Sequence, residues 1–145
     1  MVKYSAHIVS KNYLDRYWNQ IEEYLHSGLL VCEGELDVKQ LRLLCVQGAA
    51  HVVVIVDLET SNIIGALAFE FAVFPNYRAA NIISYGGHNL FASEEDFSQL
   101  KKELAKTGVT KLQGWCKPAQ ARLFKSKYGF TTPYEMIRVS LIEEN

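Results

Sequence analysis

The stretch from Ser93 to Leu141 constrains the fold more than any other, because it reads as helix, strand, helix, strand with explicit start and stop signals. Ser93-Glu94-Glu95-Asp96 opens a helix as a capping box does, with an acceptor side chain at the cap and a carboxylate three residues on. Phe97, Leu100, Leu104 and Ala105 fall on one face at helical spacing, and Gly108 supplies the left-handed residue that stops the helix. Thr110–Trp115 is expected as a short strand. Pro118 stands where a first-turn proline belongs, Ala121, Phe124 and Tyr128 face one way, and Gly129-Phe130 ends that helix. Tyr134–Leu141 is expected as a last strand.

Upstream, Lys3–Val9 reads as a first strand. Ser10 or Asn12 can cap a helix running to His26, with Leu14, Tyr17, Trp18, Ile21, Tyr24 and Leu25 as its apolar stripe and Gly28 as its end. Glu33-Gly34-Glu35 is a loop, and Asp37 caps a second helix through Val38, Leu41, Leu44 and Cys45, closed by Gly48. His51–Leu58, Asn62–Phe74 and Tyr77–Tyr85 are strands joined by turn chemistry, Glu59-Thr60-Ser61-Asn62 and Pro75-Asn76, and so predict an antiparallel meander. The order β-α-α-β-β-β-α-β-α-β makes residues 1–145 one α/β domain, a mixed central sheet with helices on both faces.

Composition narrows the function classes. Hydrophobic residues at 49% and charged ones at 21% support a packed core rather than disorder. A formal charge of −1 gives no global electrostatic case for nucleic acid or an anionic membrane surface. No apolar run approaches a spanning helix, and Met1-Val2-Lys3-Tyr4 has no apolar signal, so a cytoplasmic location is expected. Cys32, Cys45 and Cys116 are an odd number without CxxC spacing and read as buried free thiols. His7, His26, His51 and His88 share no ligand spacing, so no metal site is expected; His88 draws notice only for lying beside Gly86-Gly87 at a strand end.

The second strand of the meander has two unlike faces. Leu67, Phe69, Phe71 and Val73 alternate with Ala66, Ala68, Glu70 and Ala72. The small face fits either a closely packed helix or an approaching ligand. Glu70, a carboxylate among alanines, is either a solvent-facing charge or a group looking into a cleft. In the second case, desolvation raises its proton affinity, as a general base for an amine requires.

This element order resembles the GNAT fold of acetyl-CoA-dependent N-acetyltransferases, over essentially the whole chain. The segment Pro118–Phe130 is similar to that family's penultimate helix, which ends in a Gly-Phe pair, and Ile63-Ile64-Gly65-Ala66-Leu67 to its long strand after a turn. Phe74-Pro75-Asn76-Tyr77-Arg78 followed by Ile82–Gly87 is similar to small GNAT-like proteins encoded by tailed phages. The resemblance implies acetyl-CoA, a pantetheine arm held by the backbone of Ser84, Tyr85, Gly86 and Gly87, and Glu70 as the base in direct attack of an amine on the thioester.

Two departures bear on activity. Tyr85–Ser93 lacks the family's Gln/Arg-x-x-Gly-x-Gly/Ala pyrophosphate loop, and Glu94, Glu95 and Asp96 crowd the helix end that would receive phosphate. Weak or absent acetyl-CoA binding is therefore expected. The family's general-acid tyrosine falls at Lys125, which either stabilises a thiolate or is solvated. Two readings follow. One is an N-acetyltransferase with a degenerate loop, acting on a small-molecule or protein amine reaching the acidic Glu33, Glu35 and Asp37 loop. The other is a non-enzymatic phage protein, in the virion or bound to a host protein in the host cytoplasm.

Overall fold

A computed structural model of the chain describes residues 2–30, 32–87 and 93–142. Its elements are β1 (Tyr4–Val9), α1 (Leu14–Leu29), α2 (Val38–Val46), β2 (His51–Asp57), β3 (Ile63–Val73), β4 (Arg78–Gly87), α3 (Glu94–Ala105), β5 (Lys111–Gly114) and α4 (Pro118–Tyr128). They build one five-stranded sheet in the order β1-β2-β3-β4-β5. The first four strands are antiparallel, and β5 joins β4 in parallel from Ala79↔Lys111 to Ile82↔Gly114. The α/β fold with a mixed sheet is the one expected from the sequence.

The helix starts follow from capping chemistry. Asp37 accepts from the Gln40 N–H while the Gln40 side chain accepts from the Asp37 N–H, a reciprocal box. Ser93 accepts from the Asp96 N–H. Ser10 caps a single 3₁₀ turn, Lys11–Tyr13, that leads into α1. At the far end of α4, Gly129 takes φ 73° as a left-handed cap.

The unlike faces of β3 sort into two cores. Ala66 and Ala68 lie under α1 and α2 with Trp18, Ile21, Leu25, Leu41, Val52 and Val54. Leu67 and Phe69 lie on the opposite side with Ala6, Val53, Ile55 and α3's Phe97, Leu100 and Leu104. The alanines therefore serve close helix packing. A β-bulge between Ala68 and Phe69 sets Ile83 and Ser84 on β4 against the helical layer.

Two sequence expectations are corrected. Gly28 does not end α1, which runs on to Leu29. A Cβ there would collide with the Ser84 hydroxyl and the Tyr85 backbone, so this glycine admits β4 rather than stopping a helix. Tyr134–Leu141 forms no strand: residues 131–142 carry no ladder and are exposed. Strand-forming composition makes a strand only where it pairs with an edge, and among the described residues this segment joins no ladder.

α3 runs along β1, one of the two edge strands of the sheet. Asp96 Oδ1 accepts from the N–H groups of Lys3 and Tyr4 at 3.1 and 3.2 Å, and Glu103 Oε1 accepts from the Ile8 N–H at 3.2 Å. These carboxylates sit seven residues apart on one helical face, roughly 10 Å along the axis. Tyr4 and Ile8 lie about 13 Å apart along the strand, so the spacings match and outward N–H groups of an edge strand are satisfied by side chains.

Candidate active site

At the other end of the sheet, β4 and β5 part company. Their ladder ends at Ile82↔Gly114, while β4 continues to Gly87 paired only with β3, through Ala68↔Ser84, Leu67↔Tyr85, Ala66↔Gly86 and Gly65↔Gly87. Beyond Ile82, among the described residues, no strand pairs with the β5-facing side of β4. An extended, amide-bearing molecule can hydrogen-bond to such an edge as an added strand does.

The opening is closed on its α1 side. Ser84 is buried and its hydroxyl donates to the Leu25 carbonyl at 2.7 Å, so its side chain is committed to α1. Gly86 sits against the Tyr24 backbone, where a Cβ would strike the Tyr24 carbonyl oxygen. Gly87 is exposed, with φ 139°. The Ser84 hydroxyl and the Cβ positions of Gly86 and Gly87 are thus taken up within the fold. Tyr85 points to the α3 face, edge to face with Phe124 at 5.8 Å between ring centroids. Burial, reinforced by the neighbouring Cys116, raises its hydroxyl pKa and keeps it a proton donor at neutral pH.

A polar cluster assembles beside this opening from distant parts of the chain. Lys117 Nζ lies 3.4 Å from Glu33, and Arg138 reaches Glu35 at 3.2 Å and Glu33 at 3.7 Å. The acidic loop after α1 is thereby tied both to the β5–α4 junction and to the C-terminal segment. The Glu35 carboxyl is held below the ordinary range by N–H donation from its own backbone and from Glu33, then by Arg138. Cys32 is half-buried, Cys116 exposed and Cys45 buried, all as free thiols, so only Cys45 matches the expected burial. Burial raises the Cys32 and Cys116 pKa values, with Glu35 adding to the rise at Cys32 and Lys117 opposing it. Lys117 and Arg138 lacked any sequence signal for this gathering, because their partners lie 84 or more residues away.

The remaining sequence candidates lie apart. Glu70 is exposed and accepts a hydrogen bond from the Asn81 side chain at 3.1 Å, on a rung where β4 still pairs with β5. It takes the solvent-facing alternative rather than a desolvated cleft. Lys125 is exposed on α4. Asp96 is buried and turned to β1, with Oδ2 accepting from the Ser93 hydroxyl at 2.9 Å, whereas Glu94 and Glu95 are exposed. His88 and the segment 88–92, where a phosphate loop is expected, lie outside the described residues. An open cleft of about 420 Å³ between β1 and the start of α1, lined by His7, Ser10, Tyr13, Tyr17 and Gln20, borders the edge of the sheet opposite β5.

No protein-family model matches the sequence, and no curated protein matches it either. Solved structures do match. The chain is similar to a ribosomal-protein-alanine N-acetyltransferase from Brucella melitensis biovar Abortus at TM-score 0.65 and 12% identity, covering 95% of this chain and 99% of that one. It is similar at TM-score 0.59 and 12% identity to an aminoglycoside acetyltransferase from an uncultured soil metagenomic sample in complex with sisomicin, covering 98% and 97%. A GNAT family acetyltransferase from Staphylococcus aureus matches at TM-score 0.58 and 10% identity, covering 97% and 100%. The fold is that of the GNAT acetyltransferases, with 12% of identical residues or fewer in these three.

Proposed function

We propose that the chain is an N-acetyltransferase that takes acetyl-CoA with weak affinity and passes the acetyl group to an amine. The observation that carries this reading is the parting of β4 from β5 after Ile82, in a sheet otherwise shared with acetyltransferases. The β4 edge from Ser84 to Gly87 would hold the pantetheine arm through backbone groups, while Tyr85 and Lys117 flank the opening. Bound acetyl-CoA supplies an acetyl thioester as the electrophile.

The chain's own groups then have distinct tasks. A cationic amine, of the kind represented by the sisomicin bound by one structural neighbour, would be received at the loop of Glu33, Glu35 and Asp37, exchanging with Lys117 and Arg138 for the Glu33 and Glu35 carboxylates. An amine protonated at neutral pH must lose a proton to attack, and Glu70 would take it by relay through water, because it is exposed and lies apart from the opening. Attack forms the N–C bond and breaks the C–S bond. The departing sulfur takes a proton from Tyr85 or solvent, and Lys125 is the sequence-aligned cation for the same charge. Replacing Glu70 with Gln would then lower turnover by roughly 10²–10⁴-fold.

A second reading is favoured by Glu94 and Glu95 at the start of α3: a GNAT-like phage protein that binds a protein partner and performs no transfer. Titration calorimetry with acetyl-CoA, followed by a free-thiol assay with a panel of polyamines and aminoglycosides, separates the two. Saturable binding that tightens in Glu94→Gln/Glu95→Gln at low salt, with thiol release, supports the enzyme. No heat at millimolar acetyl-CoA in either protein refutes it.

A further inference from the structure

The cleft of about 420 Å³ beside β1 offers a second place for a small molecule, at the sheet edge opposite β5. Its floor is laid by β-branched side chains, Val9 of β1, Val54 and Val56 of β2 and Ile63 of β3. Its wall is the first half of α1 and the turn before it. Tyr13, Tyr17 and Gln20 recur four and three residues apart, so they share one helical face and span roughly 10 Å along it. The exposed Ser10 and Ser61 add hydroxyls, and Ser61 is held at φ 63°, where non-glycine residues are uncommon, as its N–H donates to the Asp57 carbonyl at 2.8 Å. Among the described residues no carboxylate, ammonium or guanidinium lines the cleft, and its His7 ring is engaged with the Ser5 hydroxyl at 2.8 Å. α1 closes the candidate active site with its other half, through Tyr24 and Leu25, so the two places are separate.

We propose that this cleft binds an uncharged nucleoside. Its 420 Å³ falls within the range of small-ligand sites and equals about fourteen water molecules at ~30 Å³ each, enough for two linked rings. A floor of valine and isoleucine gives no partner to hydroxyl groups on a ring face, so a saccharide lying there would lose hydrogen bonds. A flat heteroaromatic ring has apolar faces and carries its donors and acceptors at its edge. Such a ring lies on the floor and against the phenols, while its edge meets Gln20, whose amide both donates and accepts. The hydroxyls of Ser10 and Ser61 match those of a ribose. A phosphate group would find no cation in the lining, which selects a nucleoside over a nucleotide.

The test is titration calorimetry of the full chain with adenosine and with guanosine, reading dissociation constants up to about 1 mM. Saturable binding of at least one is expected, unchanged between about 0.05 and 0.5 M salt because no ion pair forms. Tyr13→Ala/Gln20→Ala, at two exposed positions, should weaken it about tenfold or more with an unchanged thermal melt, and Ser61→Gly, which keeps the turn, should weaken it as well. Tyr134→Ala, an exposed ring elsewhere, should leave it intact. Coenzyme A should not displace the nucleoside, because the cleft lies on the opposite half of α1 from the candidate active site. None of these readouts uses acetyl transfer, so the outcome stands apart from the proposed function. No binding of either nucleoside, binding that survives Tyr13→Ala/Gln20→Ala, displacement by coenzyme A, or tighter binding of adenosine monophosphate or sucrose overturns the proposal.

Discussion

Replacing Asp96 with Ala tests whether α3 is built to hold the sheet edge. The side chain accepts from two backbone N–H groups of the β1 entry at 3.1 and 3.2 Å and from the Ser93 hydroxyl at 2.9 Å, at a residue only 8% exposed. A hydrogen bond to a charged group contributes about 1.5–3 kcal/mol. Lys3 is exposed and its N–H regains water on truncation, so only the Tyr4 bond counts in full. Ser93 still accepts from the backbone N–H of residue 96, so the cap itself survives the change. The expected loss is therefore about 2–4 kcal/mol, or roughly 5–15 °C in Tm for a chain of this size. Urea denaturation followed by circular dichroism gives the value directly, with an unchanged m-value expected. Asp96→Asn keeps an acceptor and should lose about half as much. The exposed neighbour Glu94→Ala should stay within about 0.5 kcal/mol of the wild type. An Asp96→Ala protein as stable as Glu94→Ala would refute the edge-holding role.

Gly86→Ala should cost at or above the roughly 1–3 kcal/mol typical of overpacking, because the new methyl meets the Tyr24 backbone, which cannot rotate away; Gly34→Ala, with open space and φ 94°, should cost only about 1–2 kcal/mol of backbone strain by the same denaturation assay. Burial, with Arg78 adding to it, holds the His51 imidazole below its ordinary 6.5, so the unfolded state binds its proton more readily. Stability should be fully present above pH 6.5 and fall as pH drops through the folded pKa, and His51→Phe, stacked on Phe69 and Phe71, should flatten that slope in pH-dependent melts. The Cys45 thiol, pushed by burial up to about 11, should resist a disulfide reagent at pH 8 until urea is added, whereas exposed Cys116 reacts in the native state.

Local chemistry made most of the fold legible. Asp37, Ser93, Pro118 and Gly129 announce helix ends through bonds made within a few residues, although Asp96 turns to β1 and the Ser93 hydroxyl instead of completing the expected capping box. Gly28 misled because its reason is tertiary: the same residue that stops one helix elsewhere lets β4 touch α1 here, and no local pattern distinguishes the two. Tyr134–Leu141 misled for a related reason, since alternation and β-propensity specify a strand only where the segment pairs with an edge. At the site, the run from Ser84 to Gly87 stood out only through the family resemblance, and the strand expected to end at Tyr85 runs on to Gly87. The gathering of Glu33, Glu35, Lys117 and Arg138 was not, because it depends on where three separated loops meet.

The acids at the head of α3 show how direction decides what a charge does. In sequence, Glu94, Glu95 and Asp96 are equivalent carboxylates at the positive end of a helix, and each opposes a phosphate group by about 3 kcal/mol at 5 Å and an effective dielectric near 20. In the fold Asp96 spends its charge on β1 and on Ser93, and its field is countered by the donors that surround it. Glu94 and Glu95 face solvent, where the same separation costs about 0.8 kcal/mol and the Debye length at physiological salt is about 8 Å. The barrier to a diphosphate is thus closer to two screened surface charges than to a triple negative wall. Ser93 meanwhile occupies the Asp96 N–H, which removes one of the helix-end donors a phosphate would use. On the proposed function, weak and salt-sensitive binding is the expected outcome, because what opposes the ligand is a long-range field and what Ser93 removes is one short-range donor.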